Sequence, residues 1–312
     1  MLFFPYRVEL PYRQQLELKG APFFSLLFGV LCFLVFALQL YSDKQYEKGI
    51  VNYCQYELTE GVIPVFKKIR SDDVFSVCTN FLADWDINYD NKSLEYFAFK
   101  AQLSPEEEAV LKAELMRFNS IVSYDPLTVE FWHDPLDSDI TQYISSSFLH
   151  ADWEHLLFNL IFFFAFSITI EKLIGSLAYL FFFLLCCFST GIAYESNIFG
   201  EHGGLPTLGL SGVVMGLMAL TACIYPLKKM AVFVWILLFI TTIRIPVFIL
   251  VGFYVLTDVY GMAYLMDEGD VNYVAHVAGA ITGIAFSILF HTYKYLFPNK
   301  NNPIDLGGKE NA

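Results

Sequence analysis

The feature that most constrains this chain is a series of long apolar runs with almost no charge. Six of them reach about 20 residues, the length at which an α-helix crosses roughly 30 Å of hydrocarbon. The first covers about 21–41, and the second opens near Phe148 and continues through 156–170. The third is 177–193, the fourth about 205–225, the fifth 231–257 and the sixth 271–293. Backbone groups in lipid have no water to bond, so such runs are expected to be helices. Composition agrees, since 16% charged against 56% hydrophobic residues is too little to coat a soluble surface. The same figures exclude a disordered chain, a collagen-like repeat and a small disulfide scaffold. A formal charge of −13 with no basic stripe excludes a nucleic-acid binder. The fold class read from this is an all-α membrane protein with six transmembrane helices.

Lys and Arg in short loops set the orientation. Arg7, Arg13 and Lys19 precede the first span, Lys172 follows the second, and Lys228 and Lys229 follow the fourth. Lys294, Lys300 and Lys309 follow the sixth. The loops 194–204 and 258–270 contain neither residue type and hold Glu195, Glu201, Asp258, Asp267, Glu268 and Asp270, which read as solvated faces. His202, with Gly200, Gly203 and Gly204, reads as a turn, and His133 and His291 carry no constellation. Both termini are therefore expected to be cytoplasmic, and the composition of the insertion with an uncleaved anchor suits a bacterial inner membrane. Residues 1–20 read as a cytoplasmic or interfacial segment with no cleavable signal, 21–41 as an uncleaved anchor, and 294–312 as a cytoplasmic tail.

Residues 42–143 form an insertion that the topology places outside the cytoplasm, with nine basic and 19 acidic residues. It reads as a small, mainly helical domain. Ser104-Pro105-Glu106 ahead of Val110, Leu111 and Leu115 has the pattern of a capped amphipathic helix. Helical patterns also run over 62–70 and 73–82, with turn signals at Asp90-Asn91 and Asp125-Pro126. Cys54 and Cys78 both lie here, where a disulfide and two buried thiols are equally good readings. Cys32, Cys186, Cys187 and Cys223 fall inside spans and read as small apolar residues.

Polar side chains within a span are costly and so mark function. The second span opens with His150, His155 and Asn159, the fourth carries Gly209-Leu210-Ser211-Gly212, and the sixth carries Ala275-His276. His155 and Asn159 share a helix face. His150 lies roughly 140° away on a regular helix, so it belongs at or above the helix start. Gly212 and Gly216 on one span, and Ala275, Gly279 and Gly283 on another, are stripes of small residues that let backbones approach. Packing those stripes together brings Ser211 to His276. A Ser beside a neutral His is the minimum apparatus of nucleophilic acyl transfer. No acid is expected near His276 inside the membrane, so packing must orient the imidazole in a dyad. His155, Asn159 and the Ser211 backbone N–H are the available oxyanion donors. Arg244, with Pro246 after it, reads as a break or cytoplasmic end in the fifth span.

H-x4-H-x3-N, G-x-S-G and A-H-x2-G-x3-G, in this order on these spans, resemble the rhomboid family of intramembrane serine proteases. Glu171 and Gly175 match that family's Glu and Gly after the second span. The resemblance covers about 145–293, with 144–293 as the catalytic core. It implies Ser211 as nucleophile, His276 as base, His155 and Asn159 in the oxyanion hole, and His150 as a structural histidine. It also implies membrane-anchored protein substrates, cut near the extracytoplasmic boundary in a cavity open to that side. Thr141 and Gln142 stand where many members carry Trp-Arg, and Met215 stands where a Tyr is common. No cofactor is expected. Metal binding is disfavoured because H-x4-H lacks the spacing of H-E-x-x-H. The rivals are a non-catalytic rhomboid-like binding or quality-control protein, which should lack a site residue, and a transporter, which should show paired repeats.

Overall fold

The computed structural model describes residues 2–8, 21–70, 73–88, 97–122, 125–135, 138–198, 205–236, 239–264 and 271–296. The chain forms two compact units, Ala37–Phe131 and a second built from Met1–Phe36 with Trp132–Ala312. Its main helices are α1 (Phe23–Asn52), α2 (Trp153–Ile174), α3 (Ser176–Ile198), α4 (Ser211–Ile224), α5 (Val247–Tyr264) and α6 (Tyr273–Leu296). Five of these, all but α4, are long and apolar enough to cross a membrane. The protein is an integral, predominantly helical membrane protein.

Helix α4 is the exception because it sits at the centre. It is buried without a break from Gly212 to Thr221, as a helix apolar on every side must be. A helix shielded by neighbours need not match the bilayer, so the expected 205–225 span shortens to 14 residues. Residues 205–210 run ahead of it as irregular chain, in which Thr207 pairs its backbone with His133 at 2.9 Å in both directions. His133 is thus no isolated residue. Its Nε2 lies 2.9 Å from Glu195, which also accepts from Tyr143 and Ser138, and Gly191 leaves room for the Tyr143 ring. Glu195 belongs to the end of α3 rather than to a solvated loop. His202, Glu201, Asp267, Glu268, Asp270, Lys300 and Lys309 lie outside the described residues.

Glu171, buried near the end of α2, caps α1. Its carboxylate accepts from the Phe24 and Ser25 N–H groups at 2.9 and 2.7 Å, and from the hydroxyls of Ser25 and Ser176 at 2.7 and 2.8 Å. These backbone donors are first-turn groups that a helix cannot satisfy itself. Gly175, at φ +88°, then turns the chain into α3. Glu171→Ala is expected to cost about 3 kcal/mol, because it strands buried donors. Thermal melting in detergent reads this directly, and an unchanged melting point would show that α1 finds other acceptors.

The fifth span differs from its expected form. Residues 231–236 and 239–246 are strand rather than helix: Lys229–Ile236 (β2) and Phe239–Pro246 (β3) pair antiparallel, and Leu2–Val8 (β1) adds to the far edge of β2. β1 also lies against α2. Arg244 is exposed on β3 opposite Ala231, and Pro246 ends the strand where α5 begins. The helix is displaced along the sequence to Val247–Tyr264, which carries Asp258 and Gly261 inside it.

The 37–131 unit has its own apolar core, including Tyr53, Phe66, Leu82, Leu111 and Phe118. Helix Pro105–Ile121 starts with a complete capping box between Ser104 and Glu107. Lys68 beside Glu107, at 2.6 Å, holds that carboxyl below its ordinary range. Glu114 is buried in the same helix and accepts from the Tyr53 hydroxyl at 2.7 Å and the Thr59 N–H at 3.1 Å. Helices Ile63–Ile69 and Val74–Asn88 occupy the two other helical patterns. Cys54 and Cys78 are joined by a disulfide. Residues 89–96, with the expected turn at Asp90-Asn91, lie outside the described residues.

Candidate active site

The site is assembled by the contact between α4 and α6. A Cβ at Gly279 would collide with the carbonyl oxygen of Gly212, and one at Gly283 with that of Gly216. The two stripes therefore touch backbone to backbone, which no larger residue permits. Ser211 is the first residue of α4 and His276 lies in the first turn of α6. The Ser211 Oγ is 2.8 Å from the His276 Nε2. Both residues are half-buried, so the pair is reachable from outside the helix packing.

Asn272 fixes the start of α6. Its Oδ1 accepts from the Ala275 N–H at 2.9 Å, while its Nδ2 donates to Thr207 Oγ1 at 3.1 Å. One side chain thus holds the helix that bears His276 to the segment that leads into Ser211. Asn272 was not singled out from sequence, although an Asn immediately before an apolar helix is a cap signal.

Gly209 supplies the other side of the site. It adopts φ +122°, and a Cβ there would come within 2.8 Å of the His155 ring. Both constraints demand glycine. The His155 imidazole consequently lies against the backbone two residues before Ser211. Asp152 caps α2 by accepting from the His155 N–H at 2.7 Å, which sets the first turn that presents this ring. Asn159, one turn on and buried, donates through Nδ2 to the His155 carbonyl at 2.9 Å. His150 precedes the helix, fully buried, with its ring centroid 5.2 Å from that of His155. Met215 is buried in α4. Thr141 and Gln142 introduce a short helix, Gln142–Ser145, in the loop that the Glu195 cluster holds.

One expectation is overturned. An acid does stand beside His276: Asp258 Oδ2 on α5 is 3.2 Å from its Nδ1. The contact lies at hydrogen-bonding distance but off the line of the ring N–H, so it is close without being a well-formed bond. A span ending at residue 257 leaves Asp258 in a solvated loop, whereas the helix runs on to Tyr264. A helical stripe of Val247, Leu250, Val251, Asp258 and Gly261 would have placed it on the buried face.

A central helix led by Ser thus meets a neighbouring helix bearing His through glycine contacts, which hold a hydroxyl against an imidazole nitrogen. Residues 137–293 match the family model of the Rhomboid domain. The chain belongs to the rhomboid family, whose members are generally intramembrane serine proteases. No individual curated protein matches it.

Proposed function

We propose that this protein is an intramembrane serine endopeptidase that cleaves membrane-anchored proteins near the extracytoplasmic boundary. The observation that carries the reading is the 2.8 Å approach of Ser211 Oγ to His276 Nε2. In this reading His276 takes the hydroxyl proton as Oγ attacks the scissile carbonyl carbon. The oxygen of the tetrahedral adduct faces the Ser211 N–H at the start of α4, the His155 ring and the free hydrogen of the Asn159 amide. Each such donor is typically worth about 2.7–4 kcal/mol in the transition state. His276 then passes its proton to the departing nitrogen, and water releases the acyl group by the same route in reverse.

In this reading the Lys and Arg distribution supports cytoplasmic termini, with the Ser211 end of α4 outside, in a bacterial inner membrane. In this reading the insertion selects or orients substrate, the alternative being a packing appendage with no role in specificity. A fluorophosphonate probe tests the reading on the full-length protein in detergent. Labelling mapped to Ser211, and lost in His276→Ala, is the expected result. An unlabelled Ser211 together with no cleavage of a transmembrane reporter favours the non-catalytic binding protein instead.

A further inference from the structure

We propose that Asp258 is a positioning residue for His276, holding its imidazole in the tautomer that the Ser211–His276 pair needs; this rests on the assignment of Ser211 and His276 above. Three observations support it. The Asp258 carboxylate lies 3.2 Å from Nδ1, the nitrogen opposite the one that meets Ser211. Asp258 is only 8% exposed, on the face of α5 that packs on α6. Its approach is built in: Gly261, three residues on and on the same face, is the position over which the Tyr273 ring of α6 lies, and any Cβ there would strike that ring. A carboxylate within a membrane helix is expensive unless it has a partner. His276 supplies one.

The chemistry balances without a further reactant. Nδ1–H of neutral His276 donates to Asp258 Oδ2, which leaves the Nε2 lone pair facing the Ser211 hydroxyl. When Nε2 takes the Ser211 proton, the positive imidazolium lies between the developing oxyanion and the Asp258 carboxylate. The proton leaves from Nε2 to the departing amine, and Asp258 remains ionised throughout. The present geometry is off-line, so the proposal requires the ring and the carboxylate to come into line.

The test uses the full-length protein reconstituted in vesicles, with a transmembrane reporter substrate and fluorophosphonate labelling. Asp258→Asn keeps the shape but removes the charge and the fixed tautomer. It is expected to lower kcat by about 10²–10⁴-fold with little change in KM, and to slow labelling of Ser211 in parallel. Asp258→Glu should recover part of the loss. Equal kcat in wild type and a folded Asp258→Asn variant overturns the proposal while leaving the protease reading intact. Wild-type protein that neither cleaves nor labels removes the protease reading itself. Should Asp258→Asn not fold, nitrogen NMR of histidine-labelled wild-type protein decides: His276 protonated on Nδ1 supports the role, and on Nε2 overturns it.

Discussion

Gly279→Ala is expected to lower proteolysis by about 10²-fold or more, although the substitution adds one methyl and touches no reacting atom. Its Cβ would land on the Gly212 carbonyl, which is backbone and cannot swing aside. The helices must separate, and the 2.8 Å between Ser211 Oγ and His276 Nε2 opens with them. A misplacement of about 1 Å in a reacting pair costs on the order of 10²-fold. Overpacking should also lower stability by about 1–3 kcal/mol. Gly252→Ala on α5 is the matched control, since nothing lies within 4 Å of the added methyl and alanine favours a helix. Reporter cleavage and melting temperature, measured together, check both. An active, stable Gly279→Ala protein would mean that the two helices do not rely on this contact to form the site.

Ser211→Ala and His276→Ala should each remove about 10³-fold or more of the cleavage rate, and the double variant should be no worse than either single one. Groups that act in one proton transfer fail together, because either loss ends the same step. The residual rate would come from the oxyanion donors, so Ser211→Ala/His155→Ala should fall below Ser211→Ala alone. Independent, multiplying losses from Ser211 and His276 would indicate that the two do not share a step. Initial rates on the reconstituted reporter, with melting curves to confirm folding, distinguish these patterns.

Much of the site was legible because its residues act at helical spacing. Gly212 and Gly216 face Gly279 and Gly283 as small-residue stripes on two apolar runs, and the positions of Ser211 and His276 follow from that register. Asp258 was hidden for a related reason. Hydropathy ends the fifth span at residue 257, one residue short of Asp258, and a carboxylate at a span end looks like loop. The strand pair was hidden differently: a continuous apolar run of this kind is ambiguous between helix and buried strand. The signal present was β-branching, with Val232, Val234 and Ile236 in β2 and Ile240, Thr241, Thr242, Ile243 and Ile245 in β3. Links such as His133 to Glu195 join residues far apart in sequence and leave no periodic trace.

The pairing of Leu2 with Trp235 has a consequence for biosynthesis. The first strand emerges from the ribosome long before its partner exists, so it must wait while four apolar helices enter the bilayer. Until β2 arrives, an apolar segment of strand-forming residues stands unpaired beside the nascent membrane domain, and loops of this length close slowly. The sheet is therefore among the last parts to close. During that interval the newborn protein is most exposed to mispairing with other chains, and most in need of a chaperone.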